Sequence, residues 1–244
     1  MFAPGYPTGL RGWTEEIDIY CDGPTADEIE TLARGAVRGY TFNPTLFRSL
    51  GVVDYLSHCR TVSELCGDLP VSLEVFADDE DGMIRQAKIL HGLSDNVFVK
   101  IPVTYTDGSS TLRVIETLDG LGIRLNITAV FARHQVEQIL PVMSSQGAII
   151  SVFAGRLYDI GRDAATDTAE ISAYVHDNSN CRVLWASPRM VYDVVSAAQA
   201  NCDIITMQSA LIRKLGLLGK SPEEYSLETV RMFYSDAQES GYSL

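Results

Sequence analysis

Eight short runs rich in β-branched and aromatic residues, separated by stretches with helix-forming character, constrain this chain more than any other feature. In order they are EIDIYC, GYTFNP, VSLEVFA, VFVKIPV, IRLNITAV, AIISVFAG, RVLWAS and DIITMQ. Such alternation is the mark of repeated βα units around a parallel sheet, and eight units close into an α/β fold, the (β/α)8 TIM barrel. The chain has 244 residues, of which 46% are hydrophobic, a size and composition that suit one such barrel. Residues 1–244 therefore read as a single barrel domain, with 1–14 as a loose N-terminal arm and 221–244 as a C-terminal helical tail. This predicts a TIM barrel with extra C-terminal helices.

The connecting segments carry helix-start chemistry. Thr25 with Glu28 and Thr61 with Glu64 fit the T-x-x-E capping box, and Ser221, Pro222 and Glu224 fit N-cap, N1 and N3 of the tail helix. The tail is expected to pack against the barrel or a neighbouring subunit. Pro141, inside RHQVEQILPVM, should kink or end its helix.

The apolar residues come in short runs, well below the roughly 18 that a membrane-spanning helix needs. The N-terminus MFAPGYPTGLRGW has neither a basic start nor a continuous apolar stretch, so no signal peptide is expected. Five cysteines (Cys21, Cys59, Cys66, Cys181, Cys202) lack CxxC spacing and cannot all pair within one chain. Together these point to a reduced, cytoplasmic protein that does not meet a membrane. The net charge of −13 argues against nucleic acid as a partner and requires any anionic ligand to meet a local basic pocket. His58, His91, His134 and His176 are far apart without a third ligand at metal spacing, so no metal or cofactor is expected. GKS at Gly219–Ser221 ends like a P-loop, but Lys214 stands where that motif needs glycine.

A barrel of this kind keeps its active site at the C-terminal ends of the strands. Polar residues crowd there: Asp22, Asn43, Glu74, Lys100, Asn126, Thr128, Ser151, Arg156, Ser187 and Arg189. Strands covered on both faces normally read as near-continuous apolar runs, so ionisable groups within several of them need a cause. Lys100 is the sharpest case, because an ammonium is costly to bury whereas a neutral amine is a nucleophile toward carbonyls. The alternative is a structural ion pair with a carboxylate such as Glu74. Met207 and Gln208 end the eighth run, where they reach either the pocket or, for the methionine, the core.

Six segments, in order, resemble the transaldolase family, with the small-subunit branch that includes fructose 6-phosphate aldolases nearest in length. They are IYCDGPTADEIE, GYTFNPTLF, VKIPVTYTDG, GIRLNITAVF, SVFAGRLYDIG and WASPR, spanning Asp18 to Gly216. The resemblance implies a class I aldolase-type enzyme, with Lys100 forming a Schiff base with a ketose sugar phosphate. Asp22 would handle protons around the carbinolamine and the C–C cleavage, and Glu74 with Thr128 would hold the catalytic water. Asn43 and Asn126 would hydrogen-bond hydroxyls of the bound dihydroxyacetone unit, and Ser151 would line the same pocket. Arg156 and Arg189 occupy the family's phosphate positions, with Ser187 and Pro188 as N-cap and N1 of the following helix.

Glu74 and Phe153 match transaldolases, whereas aldolases that simply cleave fructose 6-phosphate resemble Gln and Tyr there. An apolar Phe153 offers no hydroxyl to aid protonation of the enamine, which favours its transfer to an aldose acceptor. The chain departs from the family at Gly23–Pro24 after Asp22, at Phe42 and at Pro188, changes that bear on donor length and stereochemistry. The expected activity is thus transfer of dihydroxyacetone from a ketose phosphate to an aldose phosphate, as in the pentose phosphate reactions. The alternatives are an aldolase that releases dihydroxyacetone and a non-catalytic sugar-phosphate-binding barrel. The resemblance also implies a homo-oligomer.

Overall fold

The computed structural model describes residues 17–32, 37–144 and 147–243; the N-terminal arm expected over 1–14 lies outside them. Each of the eight runs contributes one strand: β1 (Asp18–Asp22), β2 (Gly39–Thr41), β3 (Val71–Glu74), β4 (Val97–Pro102), β5 (Leu125–Val130), β6 (Ile149–Val152), β7 (Arg182–Trp185) and β8 (Ile204–Met207). All neighbours are parallel, and β8 pairs back onto β1, closing the barrel in sequence order. Among the described residues the helices are α1 (Ala26–Leu32), α2 (Pro44–Ser49), α3 (Tyr55–Cys66), α4 (Glu80–His91), α5 (Leu112–Gly120), α6 (Arg133–Ile139), α7 (Ala154–Asp159), α8 (Ala164–Asn178), α9 (Asp193–Gln199), α10 (Ser209–Lys214) and α11 (Pro222–Ser240).

Strand residues alternate between two faces. One set, including Ile19, Cys21, Val99, Ile101, Ile150 and Ile205, joins the helices in the large outer core. The other set points into the barrel. There Tyr20, Phe98, Ile149, Leu184 and Ile204 make an apolar floor. The floor leaves no room at β2, where a Cβ on Gly39 would lie 2.6 Å from the Tyr20 ring. Two residues further along the same strands stand Asp22, Lys100, Ser151, Ala186 and Thr206, all lining one cavity. The polar strand residues thus form the layer above the floor, at the C-terminal mouth.

The helix starts at Thr25 and Ser221 follow sequence chemistry, whereas that at Thr61 does not. Glu28 N–H donates to Thr25 Oγ1 (3.3 Å) and Thr25 N–H to Glu28 Oε2 (3.1 Å), a reciprocal capping box before α1. Thr61 and Glu64, however, lie inside α3. Asp54 caps that helix by accepting from Ser57 N–H (3.0 Å), and the Thr61 hydroxyl donates to the Ser57 carbonyl (3.2 Å). A carboxylate seven residues upstream satisfies the first turn, so the helix starts before the Thr-x-x-Glu pattern. Pro141 behaves as expected: α6 stops at Ile139 and a 3₁₀ turn, Leu140–Val142, follows.

Ser221 caps α11 by accepting from Glu224 N–H (3.1 Å). No residue of α11 is buried, so this helix does not pack onto its own barrel. Leu227, Val230, Phe233 and Tyr234 form an exposed stripe on it. Among the described residues, no helix is long and apolar enough to cross a membrane. All five cysteines are buried free thiols, and burial pushes Cys21, Cys59, Cys66 and Cys202 up to about 12.

Candidate active site

Barrel register decides which polar side chains meet. Glu74 and Lys100 are direct partners across β3 and β4, and Lys100 Nζ lies 2.9 Å from Glu74 Oε2. Nζ also donates to the Phe42 carbonyl at 3.4 Å. Lys100 is 6% exposed, and the facing carboxylate offsets the cost of enclosing its charge. The Tyr55 hydroxyl steadies the end of β3 by donating to the Glu74 carbonyl (2.6 Å). The ion pair weighed against a nucleophile is therefore present, and Lys100 lines the cavity as well.

Asp22 and Thr41 are partners across β1 and β2, and the Thr41 hydroxyl donates to Asp22 Oδ1 at 2.6 Å. Behind it, Thr206 Oγ1 on β8 lies 2.6 Å from Thr41 Oγ1. Burial holds the Asp22 carboxyl above the ordinary carboxylate range; Lys100 and the Thr41 hydrogen bond pull it down, and Glu74 pushes it up. Asp22 is thus placed to carry a proton under conditions where a solvated aspartate would have lost it.

Two asparagines are held differently, Asn43 by one end of its amide and Asn126 by both. The Asn43 carbonyl oxygen accepts from Leu46 N–H (2.9 Å) as the N-cap of α2, leaving its amide N–H₂ for the cavity. Asn126, fully buried on β5, accepts from the Ser151 hydroxyl (2.6 Å) and donates to Ser72 Oγ (3.0 Å). Next to it, Thr128 Oγ1 is buried in the cavity wall without a protein partner among the described residues. The β5–β6 register shifts between Ile127 and Val130, where Ala129 takes the left-handed conformation at φ 58°. This bulge falls just beyond Thr128, which still pairs in register with Pro102 on β4.

The rim carries the cations. Arg156 on α7 lines the cavity, its guanidinium 5.1 Å from the Phe153 ring centre, and Phe153 stacks on Phe131 at 5.6 Å. Ser187 also lines the cavity, with φ 62°, but it is not a helix cap. The helix after β7 begins at Asp193, whose carboxylate accepts from Arg189 N–H (2.6 Å) and Met190 N–H (2.8 Å). The expected cap at Ser187–Pro188 is corrected accordingly: the buried Asp193 carboxylate organises this turn from its far side. Gly155 packs so tightly beneath Ser187 that a Cβ there would sit 1.6 Å from the Ser187 carbonyl oxygen.

Of the anticipated residues, Asp22, Asn43, Lys100, Thr128, Ser151, Phe153, Arg156 and Ser187 line one cavity opening to solvent. Glu74 and Asn126 reach it through Lys100 and Ser151 rather than by lining it. Arg189 does not line it, and its guanidinium pairs with Asp159 at the end of α7 (Nε–Oδ1 3.1 Å). Thr41, Ser72, Leu184, Ala186 and Thr206 escaped the sequence reading. In the eighth run Met207 belongs to the outer core and the inward residue is Thr206, one position earlier. Strand alternation, counted forward from the floor residue Ile204, is the signal that would have found it.

The described residues contain no cluster of His, Cys, Asp and Glu suited to a metal ion. The cavity instead joins a buried amine backed by the Glu74 carboxylate, the Asp22 carboxylate, amide and hydroxyl donors and a guanidinium. That set suits covalent capture of a carbonyl in a polyhydroxylated, anionic molecule.

Residues 19–244 match the family model described as transaldolase/fructose-6-phosphate aldolase. A probable transaldolase of Novosphingobium aromaticivorans is 35% identical over 195 residues, covering 78% of this chain and 84% of that protein. A probable transaldolase of Hyphomonas neptunium is 34% identical over 221 residues, covering 89% and 94%. Among solved structures, the deoxyribose phosphate aldolase of Aeropyrum pernix superposes with a TM-score of 0.56 at 14% identity, covering 83% of this chain and 90% of that one. At that identity the likeness concerns the barrel alone.

Proposed function

The chain belongs to the transaldolase/fructose-6-phosphate aldolase family, and from that premise we propose that it transfers a dihydroxyacetone unit between sugar phosphates through a Schiff base on Lys100. The donor is a ketose phosphate of the fructose 6-phosphate or sedoheptulose 7-phosphate class, and the acceptor an aldose phosphate. The single observation that carries the reading is Lys100 itself: an amine 6% exposed, 2.9 Å from Glu74, on the wall of a cavity rimmed by Arg156.

In this reading Lys100 Nζ gives up its proton, adds to the ketose carbonyl carbon and forms an imine as water leaves. Glu74 and Thr128 hold that water; the buried Thr128 hydroxyl, with no protein partner among the described residues, is suited to it. Asp22 then takes the proton of the hydroxyl next to the scissile bond, the C–C bond breaks, and its electrons pass into the imine to give an enamine. Attack of the enamine on the acceptor aldehyde reverses these steps. Asn43 and Asn126 fix the hydroxyls, and Ser151 supports Asn126. Arg156 takes the phosphate, with Arg189 beside it once released from Asp159.

Phe153 places an apolar ring where a hydroxyl would favour protonating the enamine, so transfer is favoured over release of dihydroxyacetone. Buried free thiols suit a reducing cytoplasm. The exposed apolar stripe of α11 suits packing against another copy, and hence a homo-oligomer.

Incubation with fructose 6-phosphate and borohydride, followed by peptide mass spectrometry, tests the mechanism. A reduced dihydroxyacetone adduct on Lys100, absent in Lys100→Met, is the expected result. Adduct on no lysine with either fructose 6-phosphate or sedoheptulose 7-phosphate defeats it. Product formation that depends on an added aldose phosphate separates transfer from simple aldol cleavage.

A further inference from the structure

Proton counting along the Asp22 hydrogen bonds leads to one residue outside the proposed machinery. An ionised carboxylate only accepts, so Thr41 must donate its one hydroxyl proton to Asp22 Oδ1. Thr41 Oγ1 then meets Thr206 Oγ1 at 2.6 Å with no proton left to give, so Thr206 is the donor in that contact. The direction of the whole chain is fixed: Thr206 to Thr41 to Asp22. Both threonines are almost fully buried. Among the described residues Asp22 Oδ2 has no hydrogen-bond partner, which leaves it as the oxygen that meets a ligand.

The geometry points to Thr206 as a positioning residue that, through Thr41, keeps Asp22 Oδ1 occupied and sets the pH at which Asp22 exchanges its proton on Oδ2. The inference rests on the role proposed for Asp22 above. A donor into Thr41 polarises its O–H and strengthens the bond it makes to the carboxylate. That opposes the effect of burial, which moves the Asp22 carboxyl upward. The charged groups around Asp22 are Lys100 on β4, Glu74 on β3 and, across the cavity, Arg156 on α7. Thr206 is neutral and alters none of them, so its removal isolates the hydrogen-bond contribution.

The test compares wild type with Thr206→Val, which keeps shape but loses the hydroxyl, and Thr206→Ser, which keeps it. Isotope-edited infrared titration with ¹³C-carboxyl aspartate follows Asp22 directly, its band identified by its loss in Asp22→Asn. Thr206→Val should move the Asp22 titration upward by roughly half a pH unit or more, and Thr206→Ser should return it. The acid limb of kcat for ketose cleavage should move with it, while KM stays near wild type. Should Thr206→Val fail to fold by circular dichroism, Thr206→Ala gives the same readout. Superimposable titrations of wild type and the hydroxyl-free variant overturn the relay. So does a serine variant that titrates like valine. Because the infrared measurement needs no turnover, a wild type that forms no borohydride-trapped adduct would sink the proposed activity separately from the relay.

Discussion

Asn43 serves two purposes with the two ends of one amide, its oxygen capping α2 and its nitrogen facing the cavity. Asn43→Ser should therefore separate them. Serine caps about as well as asparagine, so thermal stability should change by only a few tenths of a kcal/mol. The lost amide donor should raise KM for the ketose phosphate and lower kcat/KM by about tenfold or more. A variant with wild-type kcat/KM would show that this amide does not touch substrate. Glu74→Ala should behave differently, because it removes the carboxylate 2.9 Å from the enclosed Lys100 ammonium. A loss of about 3 kcal/mol in chemical denaturation is expected, and Lys100→Met in the same chain should restore most of it. Lys100, Asp22 and Glu74 stood out in the sequence because ionisable groups are rare in enclosed strands. Thr41, Ser72 and Thr206 did not, since hydroxyl residues with high β propensity are ordinary there. Only the register of β1 with β2 and β8 reveals that two of them meet.

At the scale of elements, the contact between α7 and the turn after β7 places the rim. Gly155→Ala would drive a methyl group into the Ser187 carbonyl, and backbone cannot swing aside as a side chain can. The expected cost is about 1–3 kcal/mol. Inorganic phosphate and sugar phosphates should also bind more weakly by calorimetry, because Ser187 and Arg156 move apart; unchanged phosphate affinity would show that this contact does not shape the anion site. The tail gives the opposite expectation. Since α11 buries nothing on its own barrel, deleting residues 221–244 should leave the barrel's secondary structure intact by circular dichroism. If the stripe of Leu227, Val230, Phe233 and Tyr234 joins copies of the chain, light scattering should report a smaller assembly for the truncated protein. An unchanged mass would remove the helix from the interface. The helix itself was legible from Ser221, Pro222 and Glu224, whereas its lack of packing was not, because an amphipathic pattern does not name its partner.

For the molecule as a whole, the net charge of −13 contrasts with the cavity, where Lys100 and Arg156 offset Asp22 and Glu74. Holding Asp22 there has a consequence for stability. Its carboxyl titrates higher in the folded chain than in the unfolded one, so the folded state binds the proton more tightly. That contribution favours folding fully below the unfolded value and is lost as pH rises through the folded value. Asp22→Asn, which stays neutral, should accordingly raise the melting temperature at neutral pH, with the gain vanishing below the ordinary aspartate range, while turnover collapses. A variant less stable than wild type at pH 7 would mean that Lys100 outweighs burial.

The sequence by itself determined the number and order of strands, the helix starts at Thr25 and Ser221 and the ionisable centre of the site, because these depend on local periodicity, capping chemistry and the rarity of charge in enclosed strands. The tertiary structure alone decided which side chains touch. Closing eight strands fixes their relative registers, and a shift of one residue would exchange the inward and outward faces of a strand. It thereby paired Glu74 with Lys100, joined Thr206 through Thr41 to Asp22, and turned Arg189 onto Asp159, contacts between residues as far apart as 165 positions in the chain.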